Sequence, residues 1–238
     1  MLINAITCIV RNSFIVYHNV VYRQCIGIPM GTNSAPFMAN IYLHTFEYNY
    51  IEKLIKDGKV DIAKRLSDYT YRYQDDCVIF NDNDIFRNSY EDMYAGSAME
   101  LKNTNISRDK CNFLDLTISL HRGKFIYRSY DKRKDFDFNV VNYPNLIGNI
   151  PSSQSYGVFI SQLARFCNVN GNLRHFISDT QNLVNTLINQ HFQAETLFSR
   201  YRRFCFKYVH LWAKYNQDIN STLYITKIFG NTLKRVHN

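Results

Sequence analysis

No stretch of this sequence approaches the ~18 consecutive apolar residues that a membrane-spanning helix needs, which argues against a membrane span. Met1 to Val10 carry neither a basic start nor a small-residue cleavage site, so no secretory signal is read. The six cysteines, Cys8, Cys25, Cys77, Cys111, Cys167 and Cys205, include no C-x-x-C pair. That pattern shows no zinc site or disulfide frame and fits buried thiols in a reducing, intracellular setting, nuclear or cytoplasmic. Repeats and low-complexity segments are absent too. Acidic residues are missing from the whole stretch before Gly27, an absence that matters below.

What is present suits a folded chain. Its 238 residues are 46% hydrophobic and 15% aromatic, enough for a sizeable core in one large or two small domains. Net charge is +8 and unevenly spread. Residues 1–119 hold 12 Lys/Arg against 14 Asp/Glu, whereas residues 120–238 hold 16 against 6. The contrast suggests a polyanionic partner gripped mainly by the second half; a solvated basic face is the plainer account.

Apolar positions 2, 3, 6, 9 and 10 predict a short amphipathic helix, and two β-prone runs around His18-Asn19 predict a hairpin over 14–22. Gly27, Pro29 and Gly31 punctuate a loop. Asn33 or Ser34 then caps a helix over about Ala35 to Lys56, with Phe37, Ile41, Phe46 and Ile51 facing inward. Residues 58–68 read as a charged connection, 81–94 as a turn and short helix, and 98–106 as a loosely alternating strand. Phe113 to Leu120 alternates cleanly, turns at Arg122-Gly123 and returns through Tyr127, a further hairpin. Tyr130 to Phe138 mixes charges and aromatics, which suits base stacking with phosphate pairing or, more simply, a self-neutralising turn.

From about Ser153 the pattern is helical. Leu197, Tyr201, Phe204, Tyr208, Leu211 and Tyr215 form one apolar stripe, with Arg200, Arg203, Lys207 and Lys214 on an adjacent face of the same predicted helix. Such a helix can pack on a core while lying along a phosphate backbone. A membrane-surface or calmodulin-type helix shares the pattern.

Between these halves, Tyr71-Arg72-Tyr73-Gln74-Asp75-Asp76-Cys77-Val78-Ile79-Phe80 reads as strand, tight turn, strand, with two carboxylates at the tip. Paired carboxylates on a stiff hairpin suit Mg²⁺, which takes oxygen ligands from carboxylates and substrate phosphates. A solvent-facing acidic turn is the alternative. The glycine-containing loop that opens the long helix offers free backbone N–H groups to an anion or nucleotide.

The order of these parts resembles a reverse transcriptase. Gly27-Ile28-Pro29-Met30-Gly31-Thr32-Asn33-Ser34-Ala35-Pro36 opening a long helix resembles motif B, and Tyr73-Gln74-Asp75-Asp76, about forty residues later, resembles the Y-x-D-D box of motif C. Phe113-Leu114-Asp115-Leu116, Tyr130-Asp131-Lys132-Arg133 and Tyr156 to Leu163 look like segments of Penelope-like and related non-LTR retroelement polymerases. The resemblance implies an RNA-directed DNA polymerase, a nucleotidyltransferase with RNA template, DNA primer and dNTPs as partners and two Mg²⁺ ions as cofactor. Asp75 and Asp76 are then the catalytic metal ligands. Gln24, Gly27, Ile28, Pro29, Gly31, Asn33, Tyr73 and Gln74 shape the nucleotide and template site, and Arg200, Arg203, Lys207 and Lys214 hold the nucleic-acid backbone.

The implied fold is α+β: a partial right-hand palm over 1–130, a linker over 131–152 and a helical thumb-like region over 153–238. One antiparallel palm sheet is expected to join 14–22, 69–80 and 113–128 against the long helix. The family also has a motif A aspartate upstream of motif B that bridges both metals, and here the residues before Gly27 hold no acid. The fingers and motif A are therefore expected to be missing, and the chain to be a truncated enzyme, inactive alone. Asp115 follows motif C and substitutes for that ligand only in a permuted arrangement. A non-catalytic nucleic-acid-binding remnant and a metal-dependent nuclease are the competing readings.

Overall fold

The computed structural model describes residues 2–29, 31–80, 84–97, 99–138 and 140–233. The chain is mixed α+β, with small antiparallel sheets, and it divides into two compact units, Met1–Asn103 and Thr104–Asn238. Among the described residues no helix is long and apolar enough to cross a membrane.

The first unit opens with α1 (Leu2–Arg11) and a hairpin of β1 (Phe14–Tyr17) and β2 (Val20–Arg23). His18 and Asn19 both take positive φ, 47° and 61°, as a two-residue turn matched to strand twist requires. Every residue of both strands is exposed. Helix α2 runs Ala35–Lys56, the expected bounds with a proline in the first turn, although the Ser34 side chain makes no capping hydrogen bond. It buries Met38, Leu43 and Leu54, with Phe46, Tyr50 and Ile51 partly covered by α3 (Val60–Tyr69) and α4 (Ile85–Met93). The expectation that Phe37 and Ile41 point inward is corrected: both are exposed, because at about 3.6 residues per turn Ile41 lies roughly opposite Leu43 on α2, and Phe37 lies off the face that Met38 and Leu43 bury. Residues 58–68 are likewise no mere connection, since Ala63 and Leu66 of α3 enter the same cluster. Residues 81–83, Ala98 and Met30 of the glycine loop lie outside the described residues. The expected strand at 98–106 does not form over 99–106.

In the first unit β3 (Thr70–Tyr73) and β4 (Asp76–Ile79) pair around Gln74-Asp75. In the second, β5 (Lys110–Phe113), β6 (Leu116–His121) and β7 (Lys124–Ser129) form a meander. The stretch expected to run as one strand from Phe113 is broken at Leu114-Asp115, where Leu114 takes φ 51° and Phe113 pairs back onto Leu116. The single palm sheet is therefore corrected to three separate sheets. Among the described residues each strand pairs only with strands of its own hairpin or meander, and the third sheet belongs to the second unit.

That sheet is tied to the helices after it, so the expected boundary near 130 falls inside the unit. The Gly171 N–H donates to the Tyr127 carbonyl at 3.2 Å, and a Cβ on Gly171 would meet the Tyr127 ring at 2.9 Å and displace it. Buried Asn170 accepts from the Ser129 N–H and donates to Asp179, which also accepts from the Ser129 hydroxyl. Helices α5 (Ser152–Val169), α6 (Leu173–Asn189), α7 (Ala194–Lys207), α8 (Val209–Trp212) and α9 (Thr222–Leu233) enclose the main core. Phe159, Leu163, Phe176, Leu197 and Tyr201 are wholly buried there.

The predicted continuous helix over 197–215 is corrected as well. It ends at Lys207, and Tyr208 leaves helical geometry (φ −116°, ψ 38°). The break lets the Trp212 Nε1–H reach the Cys205 carbonyl at 2.9 Å and the Tyr215 hydroxyl reach the Asn170 carbonyl at 3.0 Å. The apolar stripe nonetheless lines the core on both sides of the break.

Candidate functional site

The acidic turn is built from its hairpin upward. Tyr73 and Asp76 close the turn as paired residues, Gln74 takes φ 54°, and Asp75 and Asp76 are both exposed at the tip. Among the described residues neither carboxylate has a hydrogen-bond or ion-pair partner, which leaves both acceptor sets open. Strand β3 alternates, so Tyr71 and Tyr73 face solvent while Thr70 and Arg72 face inward.

Arg72 anchors the turn. Its Nε and Nη2 donate to the two oxygens of Glu47 on α2 at 2.5 and 3.1 Å, and its Nη1 donates to Asn40 Oδ1 at 2.9 Å and to the Gln74 carbonyl at 3.0 Å. The Tyr94 hydroxyl also donates to Glu47, at 2.8 Å. One guanidinium thus joins the helix after the glycine loop to the peptide between Tyr73 and Asp75. The bond to Glu47 raises the Arg72 pKa, while burial and then Glu47 raise that of Tyr94. Burial, and next the Glu47 charge, push the Cys77 thiol up to about 11. Sequence reasoning missed this network. Its signal was a charged residue at an inward position of a strand, which demands a buried partner.

The glycine loop lies before α2. Gly27 and Gly31 both take φ 87°, Pro29 is buried, Ile28 is half-buried and Asn33 is exposed. The Gln24 amide donates to the Ile26 carbonyl at 3.0 Å, so its donor is committed locally. Among the described residues no hydrogen bond or ion pair joins Gln24, Gly27, Ile28, Pro29, Gly31 or Asn33 to the acidic turn. Arg72 links the turn to α2, the helix that follows this loop.

Among the described residues no three His, Cys, Asp or Glu side chains gather into a metal-capable group. Two exposed carboxylates suit one shared Mg²⁺ with water and substrate phosphates completing its shell, and fall short of a two-metal cage. Asp115 sits on the Leu114-Asp115 turn of the second unit, where it pairs with Arg165 at 2.6 Å.

The basic residues of the second unit are differently placed. Arg203 and Lys207 are exposed on α7, beside exposed Arg202 and Phe206, which the sequence reading did not single out. Arg200 is half-buried, its guanidinium 4.8 Å from the Tyr156 ring centroid. Lys214 follows the break at Tyr208 and lies against the Tyr215 ring. In the Tyr130–Phe138 segment, Asp131 accepts from Arg133 Nε at 2.7 Å and Nη2 at 2.8 Å, the self-neutralising arrangement. No known protein family, curated protein or solved structure matches the chain.

Proposed function

We propose that this chain is the palm-and-thumb portion of a retroelement reverse transcriptase, in which Asp75 and Asp76 hold catalytic Mg²⁺ and the basic second unit holds template and primer. The observation that carries the reading is the joining of its two motif-like segments. The helix opened by Gly27 to Pro36 and the Tyr73-Gln74-Asp75-Asp76 turn are bound through Arg72, Asn40 and Glu47. Asp75 and Asp76, with both carboxylates open, would hold Mg²⁺, and with a third carboxylate supplied the bound metal would provide the Lewis-acid chemistry of phosphoryl transfer.

The test is nucleotide incorporation on a primed RNA template with Mg²⁺. The chain alone is expected to bind the template and fail to extend. Addition of a segment carrying the missing aspartate is expected to start synthesis, and Asp75→Asn to abolish it. Synthesis insensitive to Asp75→Asn overturns the assignment.

The exposed Arg202, Arg203, Phe206 and Lys207 face favours a second reading, a non-catalytic nucleic-acid-binding remnant. That reading expects template affinity to fall steeply with salt and to ignore Asp75→Asn. Arg203→Gln or Lys207→Gln should each lower the log K against log salt slope by about 1.

A further inference from the structure

Neither reading uses the cleft between α6 and α9. It encloses about 810 Å³, inside the roughly 300–1,000 Å³ span of small-molecule sites. Two cations line it, Arg174 on the first turn of α6 and Lys227 on α9, and no carboxylate does. The acids nearest in sequence are turned elsewhere: Asp179 accepts from Ser129 and Asn170, and Asp218 accepts from the Asn220 N–H. Among the described residues neither cation has an ion-pair partner.

The rest of the lining selects among anions. Leu173 and Ile177 are buried and supply an apolar floor. Gln181 and Gln217 supply amides able to donate and accept, and the Gln217 oxygen is oriented by the Tyr224 hydroxyl, leaving its NH₂ for a ligand. A bare phosphate would engage the cations and amide donors and leave the apolar floor and the amide acceptors unused. A planar heterocycle with hydrogen-bonding edges, joined to a phosphate, engages them all.

We infer that the α6–α9 cleft binds a nucleoside monophosphate unit, either free or as one residue of an RNA strand. Arg174 and Lys227 take the phosphate, the two glutamines take the edge of the base, and the leucine and isoleucine floor takes its face. The site lies within the second unit and does not depend on the acidic turn, so it stands whether or not the chain is a polymerase fragment.

The test titrates AMP, inorganic phosphate and a short oligoadenylate into the full chain by calorimetry. Binding by the Arg174→Gln/Lys227→Gln variant and by Gln181→Leu is then compared. Arg174 and Lys227 are exposed, so the double variant should keep the parent's melting behaviour; Gln181→Leu serves if it does not. The expected result is AMP binding weakened about tenfold or more by the double variant and also weakened by Gln181→Leu. The same losses seen with oligoadenylate but not AMP assign the unit to a strand, and also support the inference. Phosphate binding as tightly as AMP overturns it. So does affinity unchanged in both variants, or no binding of either nucleotide probe up to about 1 mM.

Discussion

The two units of this chain bury apolar surface by different means. In the second, helices α5–α9 enclose a core whose largest members are wholly sealed from solvent. In the first, the cluster around Leu43, Leu54 and Leu66 is small, its best-covered member, Ala63, retains 3% exposure, and a whole apolar hairpin stands open. Where the core is thin, a polar clamp does the fastening: Arg72, 12% exposed, binds Glu47, Asn40 and the Gln74 carbonyl. Hydrophobic burial is non-directional and tolerant, whereas a clamp of this kind depends on each partner. The second unit should therefore be the more stable, and the first the more sensitive to single polar substitutions.

The largest effect that sharpens this contrast is Phe159→Ala. Removing a wholly buried ring should destabilise the second unit by about 3–5 kcal/mol, read as a lowered denaturant midpoint for its transition alone. Next comes Arg72→Met, which leaves Glu47 with Tyr94 as its remaining strong donor. A loss of about 2–3 kcal/mol from the first unit is expected, below the full-burial figure because Glu47 keeps 24% exposure. Hydrogen exchange should quicken across β3 and β4 in that variant, and unchanged protection there breaks the clamp argument.

Alkaline pH should narrow the gap between the units. Burial pushes Cys167 and Cys205 up to about 12 and raises Tyr201 and Tyr215, all in the second unit. In the first unit burial pushes Cys77 up to about 11 and raises Tyr94. A raised pKa means the folded state keeps a proton that the unfolded chain releases. The stability is thus full below the ordinary thiol value of 9.0 and declines as pH climbs through the folded values. Urea midpoints between about pH 8 and pH 11 should fall further for the second unit than for the first. The smallest effect is Ile15→Thr on the open hairpin. Stability should change within about 0.5 kcal/mol, while self-association measured by light scattering should drop.

Much of this was legible along the chain. The turns at His18-Asn19 and Arg122-Gly123, the bounds of α2 and the core stripe through Leu197, Tyr201 and Phe204 all follow from short-range rules of backbone and periodicity. Helix α3 was obscured by its charges, although Ala63 and Leu66 carried its inward face. The Leu114-Asp115 turn was hidden because a clean apolar alternation runs straight through it, and nothing local marks leucine for φ 51°. At the candidate site the two aspartates and the glycine loop could be read directly, while the clamp beneath them could not. An inward arginine announces that a partner exists without saying which acid it is.

By itself, then, the sequence determined where strands turn, where α2 starts and stops, which helical face is apolar, and how charge divides between the two halves. These depend on neighbours within a few positions, whose steric and periodic constraints act before any long-range contact forms. Tertiary structure alone decided that the hairpins lie in separate sheets, that Asp115 pairs with Arg165, that Arg72 reaches α2, and that α6 and α9 enclose a cleft without acids. Those outcomes join residues tens of positions apart, and only packing in three dimensions selects among partners that local rules leave equivalent.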